Sequence, residues 1–525
     1  VVTALEPFTC LAGSESSCLW FEYGPPTALL RSRHPRIRVR WPKGSRFMSD
    51  LIDRLREIVG EPACLSRPEE LFVYECDGLT LDPQLPSVVV LPANTDEVVQ
   101  IVKACREHDT PFVPRGAGTG LSGGAHAKSN AVVIETSRMK KILEVDVENR
   151  IARVQPGLVN LHLSNVVAKH GLYYAPDPSS QQVCTIGGNV AENSGGPHTL
   201  KYGATTDNIL GVEFVMPDGE LLRLGHDSGF APGYDLTGVV TGSEGTLGIV
   251  TEITVKLLEV PEGIETLLGV FPDVVSACRA VMAIVGSGLV PAALEIIDKR
   301  TIEVVEDSVY KAGLPRSAGA VLLAELDGAR CALDDQVKRM QKFCRDAGAS
   351  EVRIAKDATE RDLFWKARKG SFGAMGRLAP DIYVHDAVVP RAHLPEILEQ
   401  VSEIGERYEL VLANVFHAGD GNLHPIISFD KRDPDELDRV LKAGREILEA
   451  CLAVGGVLTG EHGVGTEKQE FMSLLFSDCD LDAMLRLRRA FNPDGVCNPG
   501  KMLPVTRACV ESNPNARGDL LELIP

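Results

Sequence analysis

The stretch Arg115-Gly-Ala-Gly-Thr-Gly-Leu-Ser-Gly-Gly124 lies between two short runs of strand-forming residues, 111–114 and 131–134. From Gly118 to Gly123 it matches the G-x-G-x-x-G spacing, which in a dinucleotide-binding βαβ unit opens a helix. Here no helical pattern follows, because the loop leads directly into the second strand-like run. The sequence therefore predicts a strand, glycine-rich loop, strand unit, whose backbone N–H groups suit a diphosphate. A flexible surface loop is the alternative.

Three further segments rich in small residues follow this loop: Pro176–Ser180, Thr185–Gly203 and Gly242–Gly248. Small residues repeated this often let one extended ligand lie against several backbone segments. From Pro86 the same part of the chain alternates strand-like with helical runs, which is typical of α/β structure. We therefore expect a large ligand-binding domain in the first half of the chain.

The composition is that of an ordinary globular protein with more than one domain, since 44% of its 525 residues are hydrophobic and 24% are charged. The formal net charge of −19 argues against nucleic acid or an anionic membrane surface as the main partner. No uninterrupted apolar stretch is long enough to span a bilayer. The 13 cysteines include no C-x-x-C pair, which predicts reduced thiols in a cytoplasmic-type compartment and excludes an iron–sulfur motif in this chain.

The first residues lack the continuous apolar core of a secretory signal. We expect residues 1–47 to be disordered and to be an over-extended reading frame. From Met48 an amphipathic helix is predicted, with Ser49 or Asp50 as its N-cap. After residue 262 strand-like and helical runs predict an antiparallel sheet with helices on one side. The expected division is a helical segment 48–85, a ligand-binding domain 86–262, a second domain 263–504 and a tail 505–525.

A second informative stretch is Asn414-Val-Phe-His-Ala-Gly-Asp-Gly-Asn-Leu-His424. Asp420-Gly421 is a preferred dipeptide for a two-residue hairpin loop. With that loop His417 faces His424, and directly opposed residues have Cβ atoms about 5 Å apart. The hairpin therefore brings two imidazoles within reach of one ion.

A carboxylate beside another histidine occurs in Thr459-Gly-Glu-His-Gly-Val-Gly465. Two histidines and Glu461 suit zinc with an open coordination position, or manganese or iron. The alternative is that these histidines satisfy core or turn hydrogen bonds. Four metal-competent residues in two glycine-rich segments favour a site.

The motifs together resemble the FAD-linked D-2-hydroxyacid dehydrogenases of the vanillyl-alcohol oxidase/PCMH superfamily, most closely the catalytic D subunits of glycolate oxidases. The likeness covers about residues 50–504 and is carried by the segments already quoted, together with Phe491-Asn-Pro-Asp-Gly-Val-Cys-Asn-Pro-Gly-Lys501. It implies an α+β fold: a two-part PCMH-type FAD-binding domain, an α+β cap domain with an antiparallel sheet, and a C-terminal helical segment.

The resemblance implies that FAD is the bound cofactor. Some superfamily members attach it through a histidine, but the corresponding position here is Thr119, so non-covalent FAD is expected and His126 is expected to be an ordinary surface residue. Asn498 with Lys501, and Asn414, are expected near the flavin or the ion, or else in turns. The positions that the resemblance assigns to FAD are Pro114, Arg115, Gly116, Ala117, Gly118, Thr119, Gly120, Leu121, Ser122, Pro176, Ser180, Gly187, Gly188, Asn189, Ser194, Gly195, Tyr202, Gly203, Glu244, Gly245, Gly248, Ile249, Val250, Asn414 and Asn498.

On the substrate side the resemblance assigns the substrate carboxylate to Arg368, with Arg377 as a second candidate; the alternative for both is a solvated helix face. Relatives that act on 2-hydroxyglutarate carry a lysine where this chain has Val384, which argues against a second carboxylate on the substrate. His385 and the adjacent Asp386 are left without a role.

The implied reaction is oxidation of a small (R)-2-hydroxy acid, glycolate or D-lactate, to the 2-oxo acid. A divalent metal, zinc with manganese or iron as alternatives, is held by His417, His424 and Glu461, and His462 is the general base. Electrons are expected to pass to a partner or a quinone-linked acceptor. The resemblance implies iron–sulfur and flavin-fold companion subunits, and a location in the cytoplasm or at the inner face of the membrane through them.

Two other functions are alternatives to this interpretation. Two histidines and a carboxylate also describe a non-haem iron oxygenase, although that leaves residues 114–250 without a role. A non-catalytic flavin-fold subunit of a glycolate oxidase complex is the second alternative, and the complete set of His417, His424, Glu461 and His462 argues against it.

Overall fold

A computed structural model of the chain describes residues 45–128, 130–229 and 232–504. The predicted tail 505–525 and most of the predicted extension 1–47 lie outside the described residues. Residues 45–47 are helical, because the first helix runs from Ser45 to Val59. The predicted helix is therefore confirmed, but the predicted start at Ser49 or Asp50 is wrong.

The N-terminal region, residues 45–262, contains seven α-helices and eleven strands among its described residues. The helices are α1 (Ser45–Val59), α2 (Pro68–Leu71), α3 (Thr95–Glu107), α4 (Asn160–Val167), α5 (Ile186–Glu192), α6 (Thr199–Tyr202) and α7 (Leu236–Val240). The strands are β1 (Cys64–Leu65), β2 (Val88–Val90), β3 (Phe112–Arg115), β4 (Val132–Glu135), β5 (Ile142–Asp146), β6 (Ile151–Val154), β7 (Leu172–Tyr173), β8 (Ile209–Val215), β9 (Leu221–Gly225), β10 (Ile249–Lys256) and β11 (Leu258–Glu259).

The glycine-rich loop connects two parallel strands of a four-stranded sheet, whose order is β1-β2-β4-β3. β3 and β4 pair directly, with Val113 opposite Val133. Parallel neighbours need a long connection, which is usually a helix. Here the connection between Arg115 and Val132 contains no helix or strand in its described residues. The predicted strand, loop, strand unit is confirmed.

A second sheet in this region is antiparallel, with the order β5-β6-β10-β8-β9, and β7 pairs with β11 in a small ribbon. Its central strand β10 alternates buried and half-buried residues along its whole length. This alternation is expected for a strand that covers the core with one face only. The sheet supports residues 243–250, the last two of which begin β10.

The C-terminal region, residues 263–504, contains eight α-helices and nine strands. The helices are α8 (Val274–Gly286), α9 (Lys299–Glu306), α10 (Arg330–Asp346), α11 (Ala358–Met375), α12 (Leu394–Arg407), α13 (Pro434–Ala453), α14 (Met472–Leu475) and α15 (Asp478–Phe491). The strands are β12 (Gly263–Phe271), β13 (Ala293–Asp298), β14 (Ala320–Gly328), β15 (Glu351–Ile354), β16 (Asp381–Val384), β17 (Ala387–Val388), β18 (Val411–His417), β19 (Asn422–Leu423) and β20 (Pro425–Phe429).

The predicted antiparallel sheet is present, with the order β15-β12-β14-β13-β18-β19-β17, while β20 pairs with β18 and β16. Helices cover both faces, so the prediction of helices on one side is wrong. α8, α10, α12 and α13 pack on one face, and α9 and α11 pack on the other. β13 is buried at every residue, as expected for a strand covered on both faces. No helix in the described part of the chain has the length and apolar character needed to cross a bilayer.

The histidine hairpin differs from the prediction in its loop. β18 ends at His417, which pairs with Asn422, so the loop spans the four residues 418–421 rather than two. His417 therefore does not face His424 directly. The observed register differs from the predicted one by two residues, so both histidines still lie on the same face of the ribbon. Their ring centroids are 5.1 Å apart.

His198 connects the two regions through a partly buried ion-pair network. Its Nδ1 lies 2.9 Å from Asp177 of the N-terminal region, and its Nε2 lies 3.2 Å from Glu325 in β14. Lys369 of α11 also contacts Asp177, at 3.0 Å. Burial alone would lower the pKa of His198, but Asp177 and Glu325 raise this pKa to about 10. The network fixes α11 against the N-terminal region.

We predict that His198→Gln destabilises the protein in a pH-dependent way. The folded-state pKa of about 10 lies above the ordinary value of about 6.5, so the stabilisation is fully present below about pH 6.5 and is lost as the pH rises through about 10. The melting temperature of the variant should fall below that of the wild type near pH 6, and the difference should shrink near pH 10.

His393→Gln is the matched control, because His393 contacts Glu396 on the exposed surface and exposed pairs contribute little to stability. It should leave the melting temperature almost unchanged across this range. An equal loss at both ends of the pH range in His198→Gln would contradict the role of the His198 charge.

Candidate active site

A cavity of about 950 Å³ lies between the N-terminal and C-terminal regions. At one side it is lined by the glycine-rich loop, by the start of α5 and by residues 243–250; at the other it is lined by α11, β18, β20 and the segment around Glu461. The two stretches that the sequence singled out, around Arg115 and around His424, therefore open into one cavity.

Most residues assigned to FAD line this cavity. They are Pro114, Arg115, Gly116, Ala117, Gly118, Thr119, Gly120, Leu121, Ser180, Gly187, Gly188, Asn189, Ser194, Glu244, Gly245, Gly248, Ile249 and Val250. Thr185 caps α5 by accepting a hydrogen bond from the N–H of Gly188, so the first turn of this helix borders the cavity. Backbone N–H groups at a helix start favour anionic ligands.

Glycine is required within the loop for two different reasons. Gly118 has a φ of +68°, and a Cβ there would lie 2.2 Å from the guanidinium of Arg115. At Gly116 a Cβ would lie 2.5 Å from the hydroxyl of Thr185. The guanidinium itself turns into the protein and donates to the carbonyl of Cys76 at 2.9 Å. Arg115 thus holds the loop in shape, and the backbone forms the cavity wall.

Seven residues assigned to FAD are not among those that line the cavity, and for these the structure gives other contacts. The Tyr202 hydroxyl donates to Asp327 at 2.5 Å, and the Asn414 amide donates to Asp298 at 3.1 Å. Gly195 passes against Glu461, since a Cβ there would lie 3.0 Å from its Oε2. The seven are Ser122, Pro176, Gly195, Tyr202, Gly203, Asn414 and Asn498.

The C-terminal segment supports the glycine-rich loop from behind. The Asn498 amide donates to the carbonyls of Gly124 and Glu244, at 2.9 and 2.7 Å. The Lys501 ammonium donates to the carbonyls of Gly123 and His126, at 2.6 and 2.9 Å. Both side chains therefore hydrogen-bond to backbone carbonyls and support the glycine-rich loop from behind.

His126 is buried, and the expectation of an ordinary surface residue is wrong. Its Nε2 lies 2.9 Å from the carbonyl of Leu79 and 3.0 Å from the carboxylate of Asp77. These contacts hold the C-terminal end of the glycine-rich loop against residues 77–79.

The Glu244 side chain joins the loop before β10 to the segment after His462. Its two carboxylate oxygens accept hydrogen bonds from the N–H groups of Val464 and Gly465, both at 2.7 Å. Its backbone has a φ of +51°, which is rare for a non-glycine residue. The Ser122 carbonyl accepts from Thr466 and Glu467, at 2.9 and 3.1 Å. These bonds place Glu461 and His462 beside the glycine-rich loop.

Three imidazoles converge on the Glu461 carboxylate. Its Oε1 lies 3.3 Å from Nε2 of His417, 3.2 Å from Nε2 of His424 and 3.7 Å from Nε2 of His462. The rings of His424 and His462 are stacked, with centroids 5.0 Å apart and an angle of 9° between their planes. The residues that the sequence proposed as a metal site are therefore brought together, although His417 and His424 come from a different hairpin register.

Two of the three imidazoles have an acceptor on their other nitrogen. Nδ1 of His417 lies 2.8 Å from Glu295, and Nδ1 of His424 lies 3.2 Å from the carbonyl of His385. Such acceptors hold a proton on Nδ1, which leaves the Nε2 lone pair free for a ligand. The Nε2 atoms and the carboxylate of Glu461 are thus an arrangement that suits a cation.

The ionised side chains of the cluster compensate one another, and a cation bound at Nε2 of His417 would displace a proton from it. Burial lowers the pKa of His417, but Glu295 and Glu461 outweigh it and hold this pKa well above its usual value. Burial raises the pKa of Glu461, but His417 and His424 outweigh it and bring this pKa well below its usual value. Burial lowers the pKa of His462 to about 4, so this imidazole is neutral near pH 7.

A cation would fit the donors present. Oε2 of Glu461 is buried without a hydrogen-bond partner. Among the described residues, ligand atoms of Asp386, His424, Glu461 and His462 all lie within 4.8 Å of one another. This group contains His424 and Glu461 of the expected ligand set but not His417, whose Nε2 lies 3.3 Å from Oε1 of Glu461. Imidazole and carboxylate donors are the ligand types of zinc, manganese or iron.

Two buried carboxylates lie beside the histidines: Glu295, which was not predicted, and Asp386, which the sequence left without a role. Glu295 is a charged residue in the otherwise apolar run Ala293–Ile297, a signal that was visible in the sequence. Asp386 is fully buried, and its Oδ2 accepts four hydrogen bonds from the segment 459–462. His462 and Lys468 help to keep its pKa below the usual value, against burial.

Arg368 lies at the cavity, but Arg377 does not. Arg368 is buried in α11; its Nε donates to Glu295 at 2.6 Å, and its Nη2 lies 3.4 Å from Nδ1 of His417. Arg377 is exposed beyond the end of α11 at Met375 and is not a lining residue of the cavity. The assignment of Arg377 to the substrate is therefore not supported, because α11 ends before it and leaves it in solvent.

Apolar residues form the wall next to His424. Val384 pairs with Ile426, which lies two residues beyond His424 on the same face of the ribbon. Both side chains, together with Val415, line the cavity. Val384 is therefore an apolar part of the cavity wall.

Comparisons with known proteins identify families and a solved structure that this chain resembles. Residues 86–225 match the family described as "FAD binding domain", and residues 260–502 match "FAD linked oxidases, C-terminal domain". The chain also shares its fold with p-cresol methylhydroxylase, solved with substrate bound. The TM-score is 0.75 at 18% identity, covering 89% of this chain and 99% of the other.

Closer relatives are known by sequence. The chain is 46% identical over 457 residues to glycolate oxidase subunit GlcD of Escherichia coli K12, covering 87% of this chain and 91% of the relative. It is 41% identical to glycolate oxidase subunit GlcD of Bacillus subtilis, covering 82% and 92%. It is 32% identical to D-lactate dehydrogenase of Anaerostipes hadrus, covering 79% and 89%. The chain therefore belongs to the family of FAD-linked oxidases that includes the glycolate oxidase subunits GlcD.

Proposed function

We propose that this protein oxidises a small 2-hydroxy acid, either achiral glycolate or the R enantiomer D-lactate, to the 2-oxo acid with FAD as the electron acceptor. The observation that carries the proposal is the single cavity that joins the glycine-rich loop to the cluster around Glu461. Relatives named glycolate oxidase subunit and D-lactate dehydrogenase support the choice of substrate. A non-haem iron oxygenase would leave the glycine-rich half of the cavity unused.

Residues 86–262 form the cofactor domain in this proposal, and residues 263–504 form the substrate side. Backbone N–H groups of residues 116–121 and the first turn of α5 bind the FAD diphosphate. Thr119 provides no attachment atom of the kind that histidine offers, so FAD is held non-covalently. FAD, when bound, supplies a two-electron acceptor for a hydride.

The residues that would hold a divalent ion, zinc with manganese or iron as alternatives, are His417, His424 and Glu461. Their support is the convergence of the two Nε2 atoms on the Glu461 oxygen, at 3.3 and 3.2 Å. An ion at this point would polarise the substrate hydroxyl and lower the cost of its deprotonation.

His462 is the general base in this proposal. Its neutral imidazole takes the hydroxyl proton on Nε2, while the hydrogen on C2 leaves as hydride with its electron pair, so that the C–O bond becomes a carbonyl. Arg368 contacts the substrate carboxylate, because it is the buried guanidinium of the cavity wall beside His417. Glu295 holds that guanidinium in place through the bond at 2.6 Å.

The apolar wall limits the substrate side chain. Val384, Val415 and Ile426 offer dispersion contacts and no hydrogen-bonding groups to a substituent on C2. A second carboxylate would lose part of its hydration against this apolar wall. Hydrogen or methyl on C2 is therefore preferred, as in glycolate and D-lactate.

Electrons leave the reduced flavin for a partner subunit or a quinone-linked acceptor. The support is that relatives from two bacteria are named as subunits of glycolate oxidase and that the sequence contains no C-x-x-C pair for an iron–sulfur centre of its own. We propose iron–sulfur and flavin-fold companion subunits, in the cytoplasm or at the inner face of the membrane.

We predict that Gly118→Ala lowers the FAD content of the purified protein. The substitution strains a residue with φ of +68° and places a methyl group 2.2 Å from the Arg115 guanidinium, so the loop loses its shape. The ratio of flavin absorbance to protein absorbance measures the effect.

Gly171→Ala is the matched control, because Gly171 has the same φ of +68° but has no atom within 4 Å of the added methyl group. It should carry as much FAD as the wild type. Full FAD occupancy in Gly118→Ala would contradict the role of this loop.

We predict that glycolate and D-lactate bleach the flavin absorbance of the wild type under anaerobic conditions and that L-lactate does not. In His462→Asn the rate of bleaching should fall by about 10²–10⁴-fold, because the general base is lost. FAD and metal contents, measured by absorbance and elemental analysis, should stay at the wild-type level.

A wild-type protein whose flavin stays oxidised with all 2-hydroxy acids would overturn the proposed function. A His462→Asn protein that is reduced at the wild-type rate would remove only His462 from the role of base. The first outcome therefore tests the proposed reaction, and the second tests the assignment of His462 as the base.

A further inference from the structure

A carboxyl group in the wall of the cavity has no partner in the protein. Glu192 is the last residue of α5 and lines the cavity. Its Oε2 is buried without a hydrogen-bond partner. In the part of the chain that the structure describes, its carboxyl group forms no ion pair with a lysine, arginine or histidine. Buried polar groups are rarely left unpaired, so this carboxyl group is expected to have a partner that binds in the cavity.

Two glycines from distant segments leave room for this carboxyl group. A Cβ on Gly124, at the end of the glycine-rich loop, would lie 2.9 Å from Oε1 of Glu192. A Cβ on Gly463, which directly follows His462, would lie 2.3 Å from Oε2 of Glu192. Gly124 also lines the cavity, and so do Glu461 and His462. Glu192 therefore lies where the glycine-rich half of the cavity meets the cluster around Glu461.

A second carboxyl group lies against the same glycine, but its oxygens have donors. The Cβ on Gly463 would also lie 2.9 Å from Oε1 of Glu244. The two oxygens of Glu244 accept hydrogen bonds from the N–H groups of Val464 and Gly465, whereas Oε2 of Glu192 accepts none. Two buried carboxyl groups that face one point do not both ionise, and hydrogen bonds favour the charge on the group that receives them. Glu244 therefore keeps its charge, and Glu192 carries the proton.

The charges around Glu192 agree with a neutral side chain. Burial raises the pKa of Glu192 most, and Glu244 raises it further, so that this pKa lies well above its usual value. Lys468 and Lys501 lower it by smaller amounts. Lys468 pairs with Glu467, and Lys501 donates to two carbonyls of the glycine-rich segment. A neutral carboxyl group is a hydrogen-bond donor, and this one borders the cavity.

We propose that Glu192 is a neutral carboxylic acid that donates a hydrogen bond to the redox-active ring of bound FAD. This inference rests on the proposed function, because the ring has to lie beside His462 if a substrate held there is to be oxidised. Hydride transfer adds negative charge to the ring, and a donor that faces the ring stabilises that charge. Glu192 thus favours the reduction of FAD.

The first test is infrared difference spectroscopy of the FAD-loaded protein, recorded in the oxidised state and after electrochemical reduction. A protonated carboxyl group has a C=O stretching band that is separate from the bands of carboxylates. In the wild type we expect such a band to shift when FAD is reduced, and we expect this signal to be absent from Glu192→Gln. A wild-type difference spectrum without the signal, or a Glu192→Gln spectrum that retains it, overturns the proposal.

The second test is the midpoint potential of bound FAD, measured by anaerobic titration against reference dyes. Glu192→Gln keeps a neutral donor, so its potential should equal that of the wild type. Glu192→Leu removes the donor. At the wild-type midpoint its ratio of reduced to oxidised FAD should therefore fall by at least about tenfold, as expected for a lost hydrogen bond to a charged group.

Two results of this titration would contradict the proposal. A higher potential in Glu192→Gln than in the wild type would show that Glu192 is ionised. An unchanged potential in Glu192→Leu would show that no hydrogen bond to the ring was lost. If Glu192→Leu does not bind FAD, the two Glu192→Gln measurements still decide between a neutral donor and a carboxylate.

Glu135→Gln is the matched control. Glu135 is also buried, and burial raises its pKa, but it accepts hydrogen bonds from Ser137 and is not a lining residue of the cavity. The infrared signal and the midpoint potential should both persist in this variant. Loss of the signal in Glu135→Gln would assign it to Glu135 and overturn the proposal.

Neither measurement uses a 2-hydroxy acid, because FAD is reduced by an electrode or by dyes. A failure of the proposed function would be seen as a wild-type flavin that no 2-hydroxy acid reduces. A failure of this inference would be seen in the infrared signal and the midpoint potential. The two failures are therefore distinguishable.

Discussion

The buried carboxylate of Glu461 is the constraint on which the site depends. A carboxylate removed from water needs a positive charge or several donors nearby. Here the compensation comes from His417 and His424 of the hairpin β18–β20, whose Nε2 atoms lie 3.3 and 3.2 Å from Oε1 of Glu461. On their far sides His417 faces Glu295 and His424 faces the carbonyl of His385. Asp386 is buried within 4.0 Å of His424 and His462. The cluster is therefore one connected electrostatic unit.

The cluster around Glu461 has to lie beside the cofactor. Contacts between the N-terminal and C-terminal regions hold it there. Glu244 fixes the segment after His462, and Ser122 fixes the residues that follow. The network around His198 holds α11, and with it Arg368, against the N-terminal region. Bonds to backbone N–H groups are directional and short, so they set the position of the segment more strictly than apolar packing does. The cavity is thus shaped by polar contacts across its two halves.

The sequence predicted local features well. The glycine-rich loop between two strands, the antiparallel sheet and the pairing of two histidines are all visible as patterns of neighbouring residues. The hairpin loop was predicted as Asp420-Gly421, but its four residues 418–421 shift the register by two, an even number that keeps both histidines on one face. The roles of Asp386, Ser122 and Asn498 depend on contacts between residues far apart in the chain. The burial of His126 against Asp77 and Leu79 could not be predicted from the sequence for the same reason.

The central claim is that the cluster around Glu461 binds a cation that takes part in substrate oxidation. The most direct measurement is the rate of anaerobic flavin reduction by glycolate or D-lactate before chelation, after removal of divalent metal, and after zinc is added back. FAD and metal contents are determined on the same samples. The account predicts that the metal-free protein keeps its FAD, loses rapid flavin reduction and regains it with zinc. A metal-free protein whose flavin is reduced at the original rate would contradict the account.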